Sequence, residues 1–437
     1  MITATIGRMF LEAYNETYGT NYDARTFFVE QFYPLFFDHN KYMMTGGNSP
    51  LENPKLAWEK MIKGNITYET AEQRRQRFIK LMTKIDECEP DMSIARGFSS
   101  ADVLATTSGQ VTDMNLNLEQ EDVFLSWLGD GLGVGVQGGL SILFCDKSIL
   151  MDLFKGWKYY RLILDNTQKA KGNQINTWNG KWLSHYYNER VYDENNPLQG
   201  LDVFTQNKDG VLSIETLNWT EVLVKLAQKN KAKQLMGAIY SIGQTNTTIG
   251  FIPFELDQIR KPWQLYHQLF ANIKSNSNKV ETLWGTAFGF RTACTKGVIG
   301  VEAMEPKGLR PYITKGTMPK MAKDEEQTIS YNVYKTWLLA MLNNDALWDK
   351  SQQLAHLLME ASTDKSKEIS TKPKNLVNGV LGATNKKQFI NCITEIVPLI
   401  NDKKALTDIV KDIHNMPNDN VPYFLTLLRF LYAMSND

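Results

Sequence analysis

The sequence predicts an α+β fold: a mixed N-terminal body with short strands and glycine-rich loops, followed by an all-α C-terminal helical bundle. Three observations carry this reading. Apolar residues recur at three- and four-residue steps before residue 97 and in nearly every stretch after 325, as helices require. Between them, apolar runs of strand length are punctuated by glycine. The chain has 437 residues, 43% of them in the AVILMFWYC set and 22% charged, which is enough for two or three domains with real cores. The expected organisation is a mainly helical region over 1–96, an α+β body over 97–325 and a helical bundle over 326–437.

In chain order, Asp23 can cap a helix that buries Phe27, Phe28, Phe32, Leu35 and Phe36, which Pro34 should end or kink. Thr70 and Gln73 have the spacing of a capping box. The helix they open turns Phe78, Leu81, Met82 and Ile85 inward and Arg74, Arg75, Arg77, Lys80 and Lys84 outward. Leu140–Phe144 reads as a buried strand, and Asp146 or Ser148 then caps a helix with Ile149, Leu153, Trp157, Tyr160 and Leu164 on one side.

Residues 172–215 read as loop-rich with short strands, and 219–241 as a helix stopped by Gly243. A strand over 249–254 and a helix over 256–273, broken near Pro262, follow. The run 284–304 reads as two strands joined around Lys296-Gly297. Beyond 325 the spacing predicts helices only, punctuated by Pro373, Pro417 and Pro422.

Forty-eight basic and 48 acidic side chains give zero formal charge, so no global field gathers a polyanion and any nucleic-acid surface must be local. The four cysteines lie far apart, without C-x-x-C, which argues against a zinc knuckle or a disulfide scaffold and fits a reducing cytoplasm. No apolar run approaches the ~18 residues of a membrane span, and no signal peptide is expected.

Gly133-Val134-Gly135-Val136-Gln137-Gly138 matches G-x-G-x-x-G, but a strand-like run follows it where a nucleotide site needs a helix. A hairpin or bulged loop is the better reading. The polar runs Thr106–Gln110 and Gly243–Thr248 suit either tight turns or uncharged phosphate contacts, the latter involving Gln244 and Asn246. No G-x-S-x-G and no paired histidine spacing occur, so serine hydrolysis and zinc chemistry lack carriers.

The strongest functional pattern runs from Lys155 to Tyr187. Lys155, Lys158, Arg161, Lys169, Lys171 and Lys181 stand there against Asp165 alone, interleaved with Trp157, Tyr159, Tyr160, Trp178, Trp182, Tyr186 and Tyr187. Cations neutralise phosphates and rings stack on bases; Asn173 and Gln174 add groups able to reach phosphates or base edges. The competing reading makes the rings core and the lysines a solvated face. Lysines also outnumber acids nine to four between Lys365 and Lys411.

A second pattern, Val298–Lys307, is β-prone and ends in Glu305-Pro306-Lys307, an E-x-K. In restriction-type nucleases of the PD-(D/E)xK kind, carboxylates at a strand end hold Mg²⁺ and the lysine polarises water. Glu281, Glu302, Glu305 and Lys307 would be the candidate residues; a strand entering a surface turn is the plain alternative.

The order of parts, with Lys374–Gly379 and Asn385–Ile390 in its helical end, faintly resembles the large subunit of type I CRISPR surveillance complexes over the last quarter of the chain. That resemblance implies binding of guide or target strands without catalysis, in a bacterial antiviral effector assembly with other protein subunits. The expected function is therefore non-catalytic binding of DNA or RNA with no cofactor, the alternative being an Mg²⁺-dependent nuclease.

Overall fold

The computed structural model describes residues 2–47, 49–52, 58–87, 119–241, 247–270, 280–363 and 372–435. It is α+β: mostly helical, with a small antiparallel sheet and a helical C-terminal region. Two compact units make up the chain, Met1–Leu256 with Gly289–Val298, and Asp257–Phe288 with Ile299–Asp437. The division after Leu256 falls inside the expected body, and 289–298 returns to the first unit.

In the first unit, α1 (Ile2–Tyr18) is followed by a helical run made of α2 (Ala24–Phe27), a π turn (Phe28–Phe32) and α3 (Tyr33–Phe36). Asp23 caps it, accepting from the Thr26 N–H at 2.7 Å. Pro34 neither ends nor breaks the run. The π turn just before it widens the hydrogen-bond ring, Tyr33 N–H reaching the Phe28 carbonyl, so the helix continues through the proline to Phe36. After α4 (Trp58–Ile62), α5 (Ala71–Glu87) opens on the expected capping box: Thr70 N–H donates to Gln73 Oε1 at 2.9 Å, and Gln73 N–H to Thr70 Oγ1 at 3.2 Å. Helix α6 (Gln120–Gly131) crosses α1 backbone to backbone, because a Cβ at Gly7 would lie 1.9 Å from the Leu125 carbonyl oxygen.

Strands β1 (Val134–Val136) and β2 (Leu140–Phe144) form a hairpin whose turn uses positive φ at Gly138 and Gly139. The glycine motif is thus the hairpin. Helices α7 (Lys147–Asn166) and α8 (Ile175–Tyr186) follow, then the hairpin β3 (Phe204–Gln206) and β4 (Leu212–Ile214), α9 (Trp219–Lys229), β5 (Gln234–Ser241) and β6 (Thr247–Glu255). The sheet order is β1-β2-β5-β6, all antiparallel.

Two expectations fail here. The predicted loop at 175–186 is α8, whose Asn176 and Asn179 amides donate to the carbonyls of Asp130, Gly131 and Gly133; docking overrides the poor helix propensity of its asparagines and glycine. The predicted helix to 241 ends at Lys229, because Leu235 and Ile239 serve a strand whose two faces are both covered from Gly237 to Tyr240.

The second unit comprises α10 (Leu256–Phe270), which runs through Pro262, α11 (Arg310–Lys315), α12 (Glu325–Leu342), α13 (Leu347–Thr363), α14 (Pro373–Gly382), α15 (Lys386–Ile396), α16 (Lys403–Asn415) and α17 (Val421–Met434). Asp324, Asn385 and Asp402 cap α12, α15 and α16. Arg429, buried on α17, donates to the Leu381 and Ala383 carbonyls at 2.7 and 2.5 Å and so closes the end of α14. The strand pair expected at 284–304 is absent: among the described residues Phe290–Cys294 is a helical turn and Glu302–Met304 a 3₁₀ turn. Gly297 takes a positive φ of 79° at the expected joint, but beyond it the β-prone run makes only an isolated bridge at Ile299 before the 3₁₀ turn. Among the described residues no helix is long and apolar enough to cross a membrane.

Candidate nucleic-acid interface

Helix α7 starts where Asp146 Oδ1 accepts from the Ser148 and Ile149 N–H groups, both at 3.0 Å. The helical step of about 100° per residue then places Lys155, Lys158, Tyr159 and Leu162 on one side and Trp157, Tyr160, Arg161 and Leu164 on the other. Burial follows the division: Lys155, Lys158 and Leu162 are exposed, Tyr159 half-buried, and the second group buried.

Helix α8 lies against α7 and carries Trp178, Trp182 and Tyr186 at steps of four, so the three rings stack in line. Tyr160 stacks on Trp178 (centroids 5.4 Å apart, planes 16°), Trp178 on Trp182 (6.1 Å, 16°) and Trp182 on Tyr186 (5.5 Å, 18°). Both indoles are buried, and each donates its N–H to an α7 carbonyl: Trp178 to Gly156 at 3.0 Å, Trp182 to Asp152 at 2.8 Å. The expectation that these two rings stack on bases therefore meets a core role instead, since no face of either is open.

The column ends in a half-buried cluster of phenols. Tyr159 stacks on Trp182 at 5.0 Å, and Tyr192 meets Tyr186 edge-on at 4.8 Å. Burial, then the neighbouring Tyr186 and Tyr159, raises the Tyr192 pKa. Two ammonium groups sit over this cluster: Lys155 Nζ 5.3 Å from the Tyr186 ring centre and Lys158 Nζ 4.9 Å from that of Tyr159. Lys155 also donates to Asp152 Oδ1 at 2.9 Å and to the Tyr186 hydroxyl at 3.1 Å. Burial pulls its pKa down, but those two bonds more than compensate and hold it above the ordinary lysine value. Asp152 is the hub, its Oδ2 accepting from the Tyr187 hydroxyl at 3.0 Å.

The remaining sequence candidates scatter. Arg161 is buried, donating to the Leu35 and Lys41 carbonyls at 3.1 and 2.8 Å and to Asp165 Oδ1 at 2.9 Å; burial lowers its pKa, with Asp165 opposing. It is a structural cation. Gln174 is committed to β4, its amide bonding both the Ile214 N–H and carbonyl. Asn173 takes a positive φ of 59° where its N–H meets the Tyr42 carbonyl. Lys171 is half-buried, bonded through its backbone to Leu212, and Lys169 is exposed just beyond α7. Lys181 is half-buried on α8. Gln244 and Asn246 lie outside the described residues, as does the run Thr106–Gln110. Spacing on the helix could have revealed Asp152, three residues before Lys155; nothing local announces Tyr192, which arrives from the turn after α8.

The nuclease candidates occupy the second unit. Glu281 is buried, Glu302 is exposed at the head of the 3₁₀ turn, and Glu305 is buried against the Arg310 guanidinium. The Lys307 backbone bonds Thr286 Oγ1 and the Tyr334 hydroxyl. The strand end that would have aligned these carboxylates is replaced by a turn, which directs Glu302 outward and Glu305 inward. Among the described residues no group of three or more His, Cys, Asp or Glu side chains is placed to hold a metal ion.

Comparison of the chain with family models, with curated proteins and with solved structures finds no match.

Proposed function

We propose that this protein binds nucleic acid without cleaving it, through the exposed side of α7 and the phenols that border it. The observation that supports this reading is the placement of the Lys155 and Lys158 ammonium groups over the Tyr186 and Tyr159 rings, on one solvent-facing side of one helix. Ammonium groups displace counterions from a phosphate backbone, and half-open phenols offer a flat apolar surface to an unstacked base. A rigid floor of stacked indoles keeps that surface in place. The ligand favoured is a single strand, whose bases are free to reach the rings. A place beside other subunits of an antiviral effector assembly rests on the sequence resemblance alone.

The test is fluorescence anisotropy with labelled single-stranded DNA and RNA in EDTA. Binding should persist without metal and weaken as salt rises, with a log–log slope near −0.7 for each phosphate neutralised. Replacing Lys155 and Lys158 together by alanine should flatten that slope by about one unit or more. An unchanged slope and affinity in a folded double variant would overturn the proposal.

A further inference from the structure

An open cleft of about 590 Å³ lies in the second unit between the start of α15, the end of α16 and the Asn418–Asn420 turn. Its polar wall is Lys387, Asn391, His414 and Asn418, and Ile390 and Pro422 supply an apolar patch. Among the described residues no carboxylate lines it.

The state of these side chains distinguishes the cleft from an ordinary polar groove. Neighbouring Lys386 is committed to structure: its ammonium donates to the carbonyls of His414 and Met416 at 2.9 and 2.5 Å, closing the end of α16. The other end of the wall is fixed by Gln388, whose side-chain oxygen accepts from the Thr384 N–H at 3.0 Å and hydroxyl at 2.9 Å. By contrast, the Lys387, Asn391, His414 and Asn418 side chains make no hydrogen bond or ion pair with any described residue. All four are exposed and border a space that no acid lines, at the N-terminal end of α15.

We infer that this cleft binds a nucleoside monophosphate unit. A lysine, an imidazole and carboxamides without an opposing acid select a phosphate group. Carboxamides present both donor and acceptor, as a base edge demands, and the Ile390–Pro422 patch covers a sugar or ring face. The volume falls within the range of about 300–1,000 Å³ typical of small-molecule sites. The unit could arrive as a free nucleotide or as the 5′-phosphorylated end of a strand, and the chemistry recognised is the same. None of its residues belongs to the α7 surface, and the inference does not rest on that surface.

Isothermal titration of the whole protein with AMP and with UMP tests the inference, using inorganic phosphate and 5′-phosphorylated and 5′-hydroxyl oligonucleotides as further arms. Saturable binding at or below about 1 mM is expected, weakened roughly fivefold or more by Lys387→Ala or Asn391→Ala, both exposed positions that should leave the melting temperature unchanged. Tighter binding of 5′-phosphorylated than of 5′-hydroxyl strands, lost in Lys387→Ala, would assign the strand end as the source; equal binding of the two strands with retention of AMP would assign the free nucleotide. Lys158→Ala should leave AMP and UMP binding unchanged, which distinguishes the cleft from the α7 surface. No saturable binding of AMP or UMP, equal affinity for inorganic phosphate, or indifference to both substitutions would overturn it.

Discussion

Arg161 and Lys41 lock the end of α7 reciprocally. The Arg161 guanidinium donates to the Lys41 carbonyl at 2.8 Å, while the Lys41 ammonium donates to the carbonyls of Leu164, Thr167 and Gln168 at 3.2, 2.6 and 2.9 Å. A helix C-terminus leaves its last carbonyls without partners, and here a cation from a distant segment bonds the Leu164 carbonyl in the last turn together with those of Thr167 and Gln168 just past it. Burial lowers the Lys41 pKa, with Asp165 opposing. Lys41→Met should therefore destabilise the protein by about 1 kcal/mol, since the Leu164 and Gln168 carbonyls lose this partner while the Thr167 carbonyl keeps the Ala170 N–H at 3.0 Å. Urea denaturation measures it, and a loss below roughly 0.5 kcal/mol would show that water replaces the ammonium readily.

The contact between α7 and α8 depends on Gly156. A Cβ there would lie 2.4 Å from Trp182 Cδ1, and that indole is held by its N–H bond to the Asp152 carbonyl at 2.8 Å and by the Trp178 ring stacked on it, so it has no room to retreat. Gly156→Ala should cost about 3 kcal/mol through overpacking, despite the better helix propensity of alanine. Gly382→Ala, at the exposed end of α14 with nothing within 4 Å of the added carbon, is the control and should be neutral within about 0.5 kcal/mol. Thermal melts of the two variants compare them directly.

On the α7 surface the two lysines are unequal. Lys155 is partly neutralised by Asp152, whereas Lys158 has no acidic partner among the described residues. Lys158→Ala should therefore weaken strand binding by about 1 kcal/mol, or roughly fivefold, and Lys155→Ala by less than twofold. Asp152→Asn releases Lys155 and should tighten binding. Anisotropy titrations at one fixed salt concentration rank the three variants, and a reversed order for the lysines would contradict this account of the surface.

Much of the fold was legible because its signals are local. The Asp146 cap, the Thr70–Gln73 box and the apolar steps of α7 each act within one helical turn, and β2 has the apolar run of a buried strand. The candidate surface was legible as a composition but not as a geometry. Arg161 lies six residues beyond Lys155, a rotation of about 240° that carries it to the opposite side of the helix, so adding its charge to that of Lys155 joined two faces. Trp178 and Trp182 look like base-stacking rings only while residues 175–186 are read as a loop. Once they are helical, rings four residues apart line up against α7. The cations that close helix ends, Lys41, Lys386 and Arg429, could not be told from surface lysines and arginines, because the carbonyls they meet come from segments 28 or more residues away.

Lys335 on α12 offers the sharpest test by pH. It is buried, its ammonium 4.9 Å from the Phe270 ring centre and 5.9 Å from that of Trp348, with no carboxylate partner among the described residues. The rings, set edge to face at 5.8 Å, recover part of the lost hydration, yet burial still brings the pKa down to about 8 from 10.5. Between these two values the unfolded chain holds the proton and the folded protein releases it, so stability from this group rises with pH across about 8 to 10.5. Below 8 the full cost of the buried charge is present. Lys335→Met removes that cost and should stabilise the protein by roughly 2–4 kcal/mol at pH 7. The gain should shrink steadily above pH 8 and approach zero near 10.5, where lysine is neutral in both states. Urea midpoints of the two proteins measured in parallel from pH 7 to 10 cancel the titrations they share. A gain that stays constant over that range would mean the variant acts through packing, and a loss at pH 7 would mean the ammonium is solvated after all.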